Sequence, residues 1–462
     1  MAGIGFELQK LSSRNTLFAQ FSAATHGAVV ATGPWLFTIA SLALIALATQ
    51  HLADRTALST FRVIVFYGFC LSFIASSPAI ITGVRLVADA IYAKKIGEVP
   101  GIFLNCLLWA ALPTAVVGFV VYFVIFNLPW FSGITAIATC ILTSLVWVAT
   151  AFCSAIRNYR IVTLSFLFGM IAVTINAVLM AELGQGTEGM LIGMNIGLCT
   201  IAVSLINQIF ATFPHPVNTS AIDPVGFARK IASRWVLCAG ATAASVAIWV
   251  DKVVLWVSGA GETVQWGLRH APIYDSALFV SFLCIVPALA QYVVHIETDF
   301  YRRYQKYYHD ISTHACLNDI KQNAENLQLN TQKAVLGIWY RHIVVCSIAF
   351  LLGPAIISAI GLEYKQLTIF RMGVLGALFH FFFFACTSII LFLDRQRLFL
   401  GLQALFLVTN LGFTMISLLG GESYLGTGYF AAILGCAVLS YFAMLRVLDD
   451  INYLTFIANN KL

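Results

Sequence analysis

Long apolar stretches constrain this chain more than any other feature. A stretch of about 20 apolar residues matches the hydrocarbon core of a bilayer, where only helices and closed barrels satisfy their backbone hydrogen bonds. The runs here are continuous rather than alternating, which favours helices over barrel strands. Composition agrees, because 60% of the 462 residues are hydrophobic and only 10% are charged. Twelve spans are predicted, at residues 23–49, 62–87, 102–126, 134–156, 161–181, 189–213, 235–258, 272–296, 336–360, 367–393, 398–419 and 425–447.

The distribution of positive charge predicts how these spans are oriented. With the N- and C-termini in the cytoplasm, 20 of the 26 Lys and Arg residues lie at the cytoplasmic side, as the positive-inside rule requires. The segment 1–22 is predicted to lie along the cytoplasmic interface, because Ile4, Leu8 and Leu11 share one helix face. Six basic residues remain outside: Arg55, Arg62, Lys252, Arg269, Lys365 and Arg371.

An internal repeat predicts two halves. The stretch SFIASSPAI, which contains Pro78, recurs 209 residues later as SFLCIVPAL, which contains Pro287. A proline-rich linker, 214–233, lies between the sixth and seventh spans, where two six-helix lobes would join. We therefore expect lobes at 23–213 and 234–462, with an extra cytoplasmic helical insertion at 297–335. Parallel repeats of this kind are a common plan for transporters, whose pathway runs between the halves.

Several segments resemble one known family. MAGIGFELQKL, HGAVVATGPW, SSPAIITGVRLVADAIY, DKVVLWVSG and ETDFYRRYQKYYHD occur in order along the chain, and together they look like PelG. That family comprises inner-membrane proteins of bacterial Pel exopolysaccharide export, related to the multidrug/oligosaccharidyl-lipid/polysaccharide (MOP) flippase superfamily. The resemblance implies an all-α polytopic protein with about 12 transmembrane helices in two pseudo-symmetric bundles. It also implies export of a partly deacetylated amino-sugar polymer, beside a cytoplasmic glycosyltransferase and membrane scaffold partners.

Charged residues and prolines inside spans are the candidates for the substrate pathway. A charge in the membrane usually faces a cavity or a partner. Asp251 and Lys252 lie roughly 10 Å deep in span 7, about 100° apart on the helix, so they are not expected simply to neutralise each other. Asp275 lies near the outer end of span 8. Asp251 has three possible roles: it faces a cavity and attracts a cationic polymer, it couples transport to a proton or cation, or it belongs to a structural ion pair. Prolines allow helices to bend, and the pathway candidates are Pro34, Pro78 and Pro287; a structural kink is the alternative for each.

The insertion at 297–335 is the candidate docking segment for a cytoplasmic partner. Apolar side chains recur there at helical spacing, first in Phe300, Tyr304, Tyr307 and Ile311, and then, beyond a break near 312–314, in Leu317, Ile320, Ala324 and Leu327. The alternative is that this stripe packs on the protein's own helix ends.

Other function classes find less support in the sequence. There is no P-loop, DxD-like or HExxH motif, so no enzyme, cofactor or metal site is predicted, and nothing indicates nucleic acid. His380 is expected to be a packed histidine rather than the base of a membrane acyltransferase. The glycines at 189, 193 and 197 predict a close helix–helix contact. The remaining alternatives are a flippase for lipid-linked oligosaccharide and a cation-coupled exporter of small solutes.

Overall fold

The protein is built from membrane-length helices. The computed structural model describes residues 37–38, 40–49, 54–155, 159–216 and 222–458. Over these residues, ten helices are long and apolar enough to cross a membrane, or eleven if one bent pair of helices is counted as a single span. The predicted all-α polytopic fold is therefore confirmed. Pro34, the segment 1–22 and most of the first predicted span lie outside the described residues.

The described residues form two compact units that divide between Ala271 and Pro272. The lobes at 23–213 and 234–462, inferred from the repeat, remain a prediction. The first unit contains α1 (Ala40–Thr49), α2 (Arg55–Tyr92), α3 (Val99–Phe119), α4 (Trp130–Ala155), α5 (Tyr159–Glu182), α6 (Gly186–Thr212), α7 (Pro224–Ser233), α8 (Trp235–Ala247), α9 (Val250–Val257), β1 (Glu262–Thr263) and β2 (Arg269–His270). The second contains α10 (Pro272–Phe282), α11 (Val286–His295), α12 (Tyr301–Ser312), α13 (Leu317–Leu351), α14 (Gly353–Ile360), α15 (Gln366–Phe392), α16 (Gln396–Leu419), α17 (Thr427–Asp449) and α18 (Ile451–Tyr453).

The two repeated prolines both sit in long helical segments, and each segment compensates for its proline differently. In α2, Pro78 has no N–H for the carbonyl of Ile74, and the hydroxyl of Ser77 donates to that carbonyl at 2.9 Å. Before α11, a 3₁₀ turn precedes Pro287, and the N–H of Val286 donates to the carbonyl of Leu283. Each carbonyl that proline would leave without a donor is thereby satisfied.

The glycines of α6 permit close packing on α5. A Cβ atom at Gly193 would lie 2.5 Å from the backbone nitrogen of Ala177, and one at Gly197 would lie 2.2 Å from Val173. No larger residue fits at such distances, so the predicted structural role of these glycines is confirmed.

Helices α12 and α13 pack against each other as a helical hairpin. The chain leaves α12 at Ser312 and turns through His314, whose φ of +56° is left-handed. Helix α13 then runs without interruption from Leu317 into the span that ends at Leu351. The predicted insertion is thus continuous with a membrane-spanning helix.

Candidate functional site

The seventh predicted span is broken in its middle. Helix α8 ends at Ala247, α9 begins at Val250, and their axes differ by 48°. At the break the N–H of Trp249 donates to Val246, three residues back, and the bond from Ile248 to Ala244 is stretched to 3.4 Å. Backbone irregularities of this kind at membrane depth are tolerated where other groups satisfy the freed carbonyls.

Lys252 supplies a donor at this break and also pairs with Asp251. Its Nζ donates to the carbonyl of Ile248 at 3.0 Å and lies 3.4 Å from both carboxylate oxygens of Asp251. The Asp251 side chain is fully buried, and 11% of the Lys252 side chain is exposed. The expectation that these two neighbours would not neutralise each other is therefore wrong. The lysine stem folds back along its own helix, which brings its ammonium group to the preceding residue's carboxylate.

Aromatic rings from α2 pack on the tryptophans that precede and follow this ion pair in the sequence. The ring of Tyr67 stacks on that of Trp256, with centroids 4.8 Å apart and an angle of 18° between the planes. Phe66 meets Trp249 edge to face at 5.4 Å. The Nζ of Lys252 lies 5.7 Å from the Trp249 ring centroid, within cation–π range. The ammonium group thus has a carboxylate, a carbonyl and an indole face around it.

A short β-hairpin holds the end of α9. The guanidinium of Arg269 donates to the carbonyls of Val257 and Ser258 at 3.1 and 3.5 Å, where a cation complements the negative end of the helix dipole. Tyr67 donates its hydroxyl proton to the Arg269 carbonyl at 2.9 Å. Next to Arg269, burial lowers the pKa of His270, and the charge of Glu262 opposes that effect. The hairpin therefore ties α9 to α2.

Sequence reasoning found the charges of this site but missed the residues that position them. Phe66, Tyr67, Trp249 and Trp256 sit in apolar stretches where any aromatic side chain is unremarkable. In the sequence, Arg269 was noted only as one of the six basic residues on the outer side of the membrane. The signal that could have found them is the recurrence of large aromatics around a charged pair inside a span, because buried charges require such partners.

The structure describes three of the other predicted pathway residues, Pro78, Asp275 and Pro287. Pro78 is half-buried within α2 of the first unit. Asp275 is half-buried in the first turn of α10, and Pro287 is exposed near the start of α11, so both belong to the second unit. Among the described residues of this set, the structure records a contact between Asp251 and Lys252.

The four side chains predicted for partner docking are largely occupied within the chain. Phe300 is 1% exposed and packs edge to face on Phe392, with ring centroids 5.1 Å apart. Tyr307 is 0% exposed and donates to Oδ1 of Asn452 at 2.9 Å. Tyr304 and Ile311 are half-buried. Phe300 and Tyr307 thus follow the alternative given above, packing on the protein's own helices.

His380 has the surroundings of a packed histidine. Its Nδ1 lies 3.1 Å from the Tyr429 hydroxyl, and its ring contacts Phe282 and Phe406 at centroid distances of 5.7 Å. Over the described ranges, no group of three or more His, Cys, Asp or Glu residues is placed to hold a metal ion.

The fold defines a class of protein. A MATE structure titled as an outward-facing multidrug resistance transporter of the MOP superfamily superposes with a TM-score of 0.63 at 13% identity, covering 93% of this chain and 97% of that one. An inward-facing MATE structure gives 0.60 at 13% identity, covering 92% and 99%. A MATE in a bent conformation gives 0.60 at 12% identity, covering 98% and 99%. The chain therefore has the fold of MOP superfamily transporters.

The sequence places the chain within a particular family. Residues 1–456 match the profile described as "PelG: Putative exopolysaccharide Exporter (EPS-E)". The chain belongs to the PelG family, and the resemblance noted in its motifs is confirmed. No curated protein matches it significantly.

Proposed function

We propose that this protein moves a Pel-type amino-sugar exopolysaccharide across the bacterial inner membrane. Membership of the PelG family and the MOP transporter fold support export of a polysaccharide. The observation that carries the finer proposal is the fully buried Asp251 at the break of span 7, paired with Lys252, whose ammonium group lies 5.7 Å from the Trp249 ring centroid. A partly deacetylated polymer carries ammonium groups, which a carboxylate in a weakly screened site attracts.

The broken helix gives the proposed transport a mechanical basis. A helix interrupted at membrane depth can change its bend with little loss of hydrogen bonding, and transporters place substrate sites at such breaks. The Trp249 ring beside the Lys252 ammonium group offers an apolar face to sugar C–H groups. In this proposal Asp251 holds the charged sugar, and the stacked rings of Tyr67 and Trp256 keep the site's shape. Both termini are cytoplasmic, as the positive charge predicts.

Coupling to a cytoplasmic glycosyltransferase and to membrane scaffold proteins is part of the proposal. The docking segment is the hairpin within 297–335. Because Phe300 and Tyr307 are buried, docking would use the half-buried Tyr304 and Ile311 together with Leu317, which is 61% exposed. An exposed leucine on a cytoplasmic helix suits a protein partner, and five acidic and five basic residues in the segment give no net attraction to anionic lipid.

Deletion of the gene in its host tests the proposal. Secreted polysaccharide and biofilm should fall on deletion and return when the wild-type chain is supplied in trans. Unchanged secretion and biofilm after deletion would overturn the proposal. A catalytically inactive glycosyltransferase in the same host is the control that defines complete loss of polymer.

The fold also favours a second candidate. MATE structures whose titles name multidrug resistance share the architecture, so a cation-coupled exporter of small solutes, or a flippase for lipid-linked oligosaccharide, is the alternative. Purified protein in liposomes would transport a labelled small solute without glycosyltransferase or nucleotide sugar if the exporter alternative holds. Polymer movement that requires ongoing synthesis would favour the polysaccharide.

A further inference from the structure

The short amphipathic helix α7 is fixed at the end of the first unit where α2 ends and α8 begins. The carboxylate of Asp223 caps it by accepting from the N–H of Gly226 at 2.8 Å. The indole of Trp109 in α3 donates to the carbonyl of Pro224, also at 2.8 Å. Phe227 is 2% exposed, and the helix packs on α2, α3 and α8. The position of α7 is therefore set by the bundle.

The exposed surface of α7 carries both positive charge and apolar side chains. Arg229 and Lys230 are exposed, and neither forms an ion pair within the part of the chain that the structure describes. Val225, one turn before Arg229, is 62% exposed, and Trp235, the first residue of α8, is 64% exposed. A short helix of this composition beside a span is typical of segments that lie in the headgroup region of a bilayer.

Two arginines next to this helix share one carboxylate. Nη2 of Arg234, which lies between α7 and α8, is 3.8 Å from Oδ2 of Asp89 near the end of α2. Nε of Arg85 is 3.9 Å from Oδ1 of the same carboxylate. Strong charge-assisted bonds are about 2.7–2.9 Å long, so Asp89 holds both guanidinium groups loosely. The side chains of Arg234 and Arg85 are 29% and 43% exposed, which leaves them open to a second anion.

We propose that Arg85, Lys230 and Arg234 bind the phosphate of an anionic phospholipid. Lys230 precedes Arg234 by four residues, a spacing that places two side chains on one face of a helix. Guanidinium groups bind phosphate oxygens through paired N–H donors, and basic pockets between spans bind anionic headgroups. The bound phosphate would connect the end of α2 to the start of α8, which belongs to the broken span.

The apolar surroundings favour a lipid over free phosphate. Val225 and Trp235 expose apolar surface beside the cations, and the acyl chains of a lipid cover such surface whereas inorganic phosphate does not. Tryptophan at the end of a span is also typical of the headgroup level of a membrane. This site goes beyond the proposed transport and does not depend on the identity of the substrate.

Lipid titration of the purified protein tests the site. Native mass spectrometry in detergent counts bound phosphatidylglycerol and phosphatidylcholine, and the wild type should bind the anionic lipid more tightly. Lys230→Gln should weaken phosphatidylglycerol binding about fivefold, and Lys230→Gln with Arg234→Gln about 25-fold, as expected for one and two cations at an anionic headgroup. Phosphatidylcholine binding should not change. Equal binding of the two lipids by the wild type would overturn the proposal.

Lys95→Gln is the matched control, because Lys95 follows α2 at the same end of the first unit. Its side chain is 65% exposed and pairs with Glu98 at 3.8 Å. The substitution removes the same charge outside the proposed site, so phosphatidylglycerol should bind as it does to the wild type. Equal weakening in Lys95→Gln and Lys230→Gln would show a general attraction to anionic lipid and would overturn the site.

Two further results would assign this surface to another ligand and thereby overturn the proposal. The first is displacement of phosphatidylglycerol by inorganic phosphate at equal concentration. The second is release of a co-purifying protein by Lys230→Gln while lipid binding stays unchanged. Without added lipid, Lys230→Gln and Lys95→Gln should unfold at the wild-type temperature because both side chains are exposed. If the double variant does not fold, the comparison of these two single variants decides.

Discussion

The hydroxyl of Tyr67 donates a 2.9 Å hydrogen bond to the backbone carbonyl of Arg269, 202 residues further along the chain. The Arg269 side chain holds the last carbonyls of α9, and the Tyr67 ring stacks on Trp256 of the same helix. One residue of α2 therefore contacts both the half-helix that carries Asp251 and the loop that follows it. The contact between Tyr67 and Arg269 thus fixes the position of α9 against α2.

Tyr67 is predicted to stabilise the protein in two ways, through its hydrogen bond to Arg269 and through its ring stacked on Trp256. Tyr67→Phe removes the hydrogen bond and should destabilise the protein by about 1 kcal/mol. Tyr67→Ala also removes the stacked ring and should cost about 3–5 kcal/mol, as large-to-small changes of buried aromatics do. Unfolding in detergent measures both. Tyr364→Phe, at a tyrosine that is 78% exposed, is the control, and equal losses in all three variants would contradict the structural role.

The charge of Asp251 is predicted to be required for export. Asp251→Asn keeps the side chain's shape and removes its charge, so secreted polymer should fall while protein level and membrane insertion stay normal. The Ile248 carbonyl still accepts from Lys252 in this variant. Immunoblots and polymer quantification check the result. Glu363→Gln, at a carboxylate that is 65% exposed in its pair with Lys365, should change neither. Disappearance of Asp251→Asn from the membrane would show a structural role, and untouched export would refute the pathway role.

Close packing of α5 on α6 is predicted to tolerate no side chain at Gly193. A Cβ there would lie 2.5 Å from the backbone of Ala177, so Gly193→Ala should destabilise by about 1–3 kcal/mol. Gly412→Ala, at a helical glycine with nothing within 4 Å of the added atom, should be neutral or stabilising by up to about 1 kcal/mol. The unfolding temperatures of the two variants test this prediction. Equal stability would contradict the close contact between Gly193 and Ala177.

Partner docking by the α12–α13 hairpin predicts different results for exposed and buried residues. Leu317→Ser, at a leucine that is 61% exposed, should release the glycosyltransferase or scaffold in a detergent pull-down and leave the unfolding temperature unchanged. Tyr307→Ser breaks the bond to Asn452 and should lower the unfolding temperature instead. Retention of every partner by Leu317→Ser would refute docking through this face.

Burial of His270 predicts a specific acid sensitivity. Because burial lowers its pKa in the folded protein below the ordinary 6.5, the unfolded chain takes up this proton at higher pH than the folded one does. Stability should therefore fall as pH drops through about 6.5. His270→Gln should lose this part of the pH dependence in unfolding measured at pH 7.5 and 5.5. An unchanged pH dependence in the variant would argue against the assignment.

The spans were predictable because hydropathy alone determines which segments enter lipid. Predicted span 367–393 and observed α15, Gln366–Phe392, agree to within a residue. The break in span 7 was not predictable, because the stretch SVAIWVDKV contains neither Gly nor Pro. It depends on where side chains are placed in the folded chain: the Lys252 ammonium group donates to the Ile248 carbonyl, and Arg269 of the hairpin holds the end of α9.

The apolar side chains at helical spacing within 297–335 show a second limit of sequence patterns. Helical spacing correctly grouped Phe300 and Tyr307 on one face. Whether that face is exposed depends on Phe392 and Asn452, which lie far along the chain. A periodic pattern identifies a face that is covered, but it does not identify what covers it.

Polymer protection in inverted membrane vesicles tests the proposed export most directly. Vesicles that contain the glycosyltransferase, its scaffold partners and this chain are supplied with labelled nucleotide sugar and then treated with a glycosidase from outside. Labelled polymer should be protected inside vesicles with the wild-type chain, and should be digested in vesicles that lack it or carry Asp251→Asn. Equal protection with and without the chain would contradict its role as the exporter.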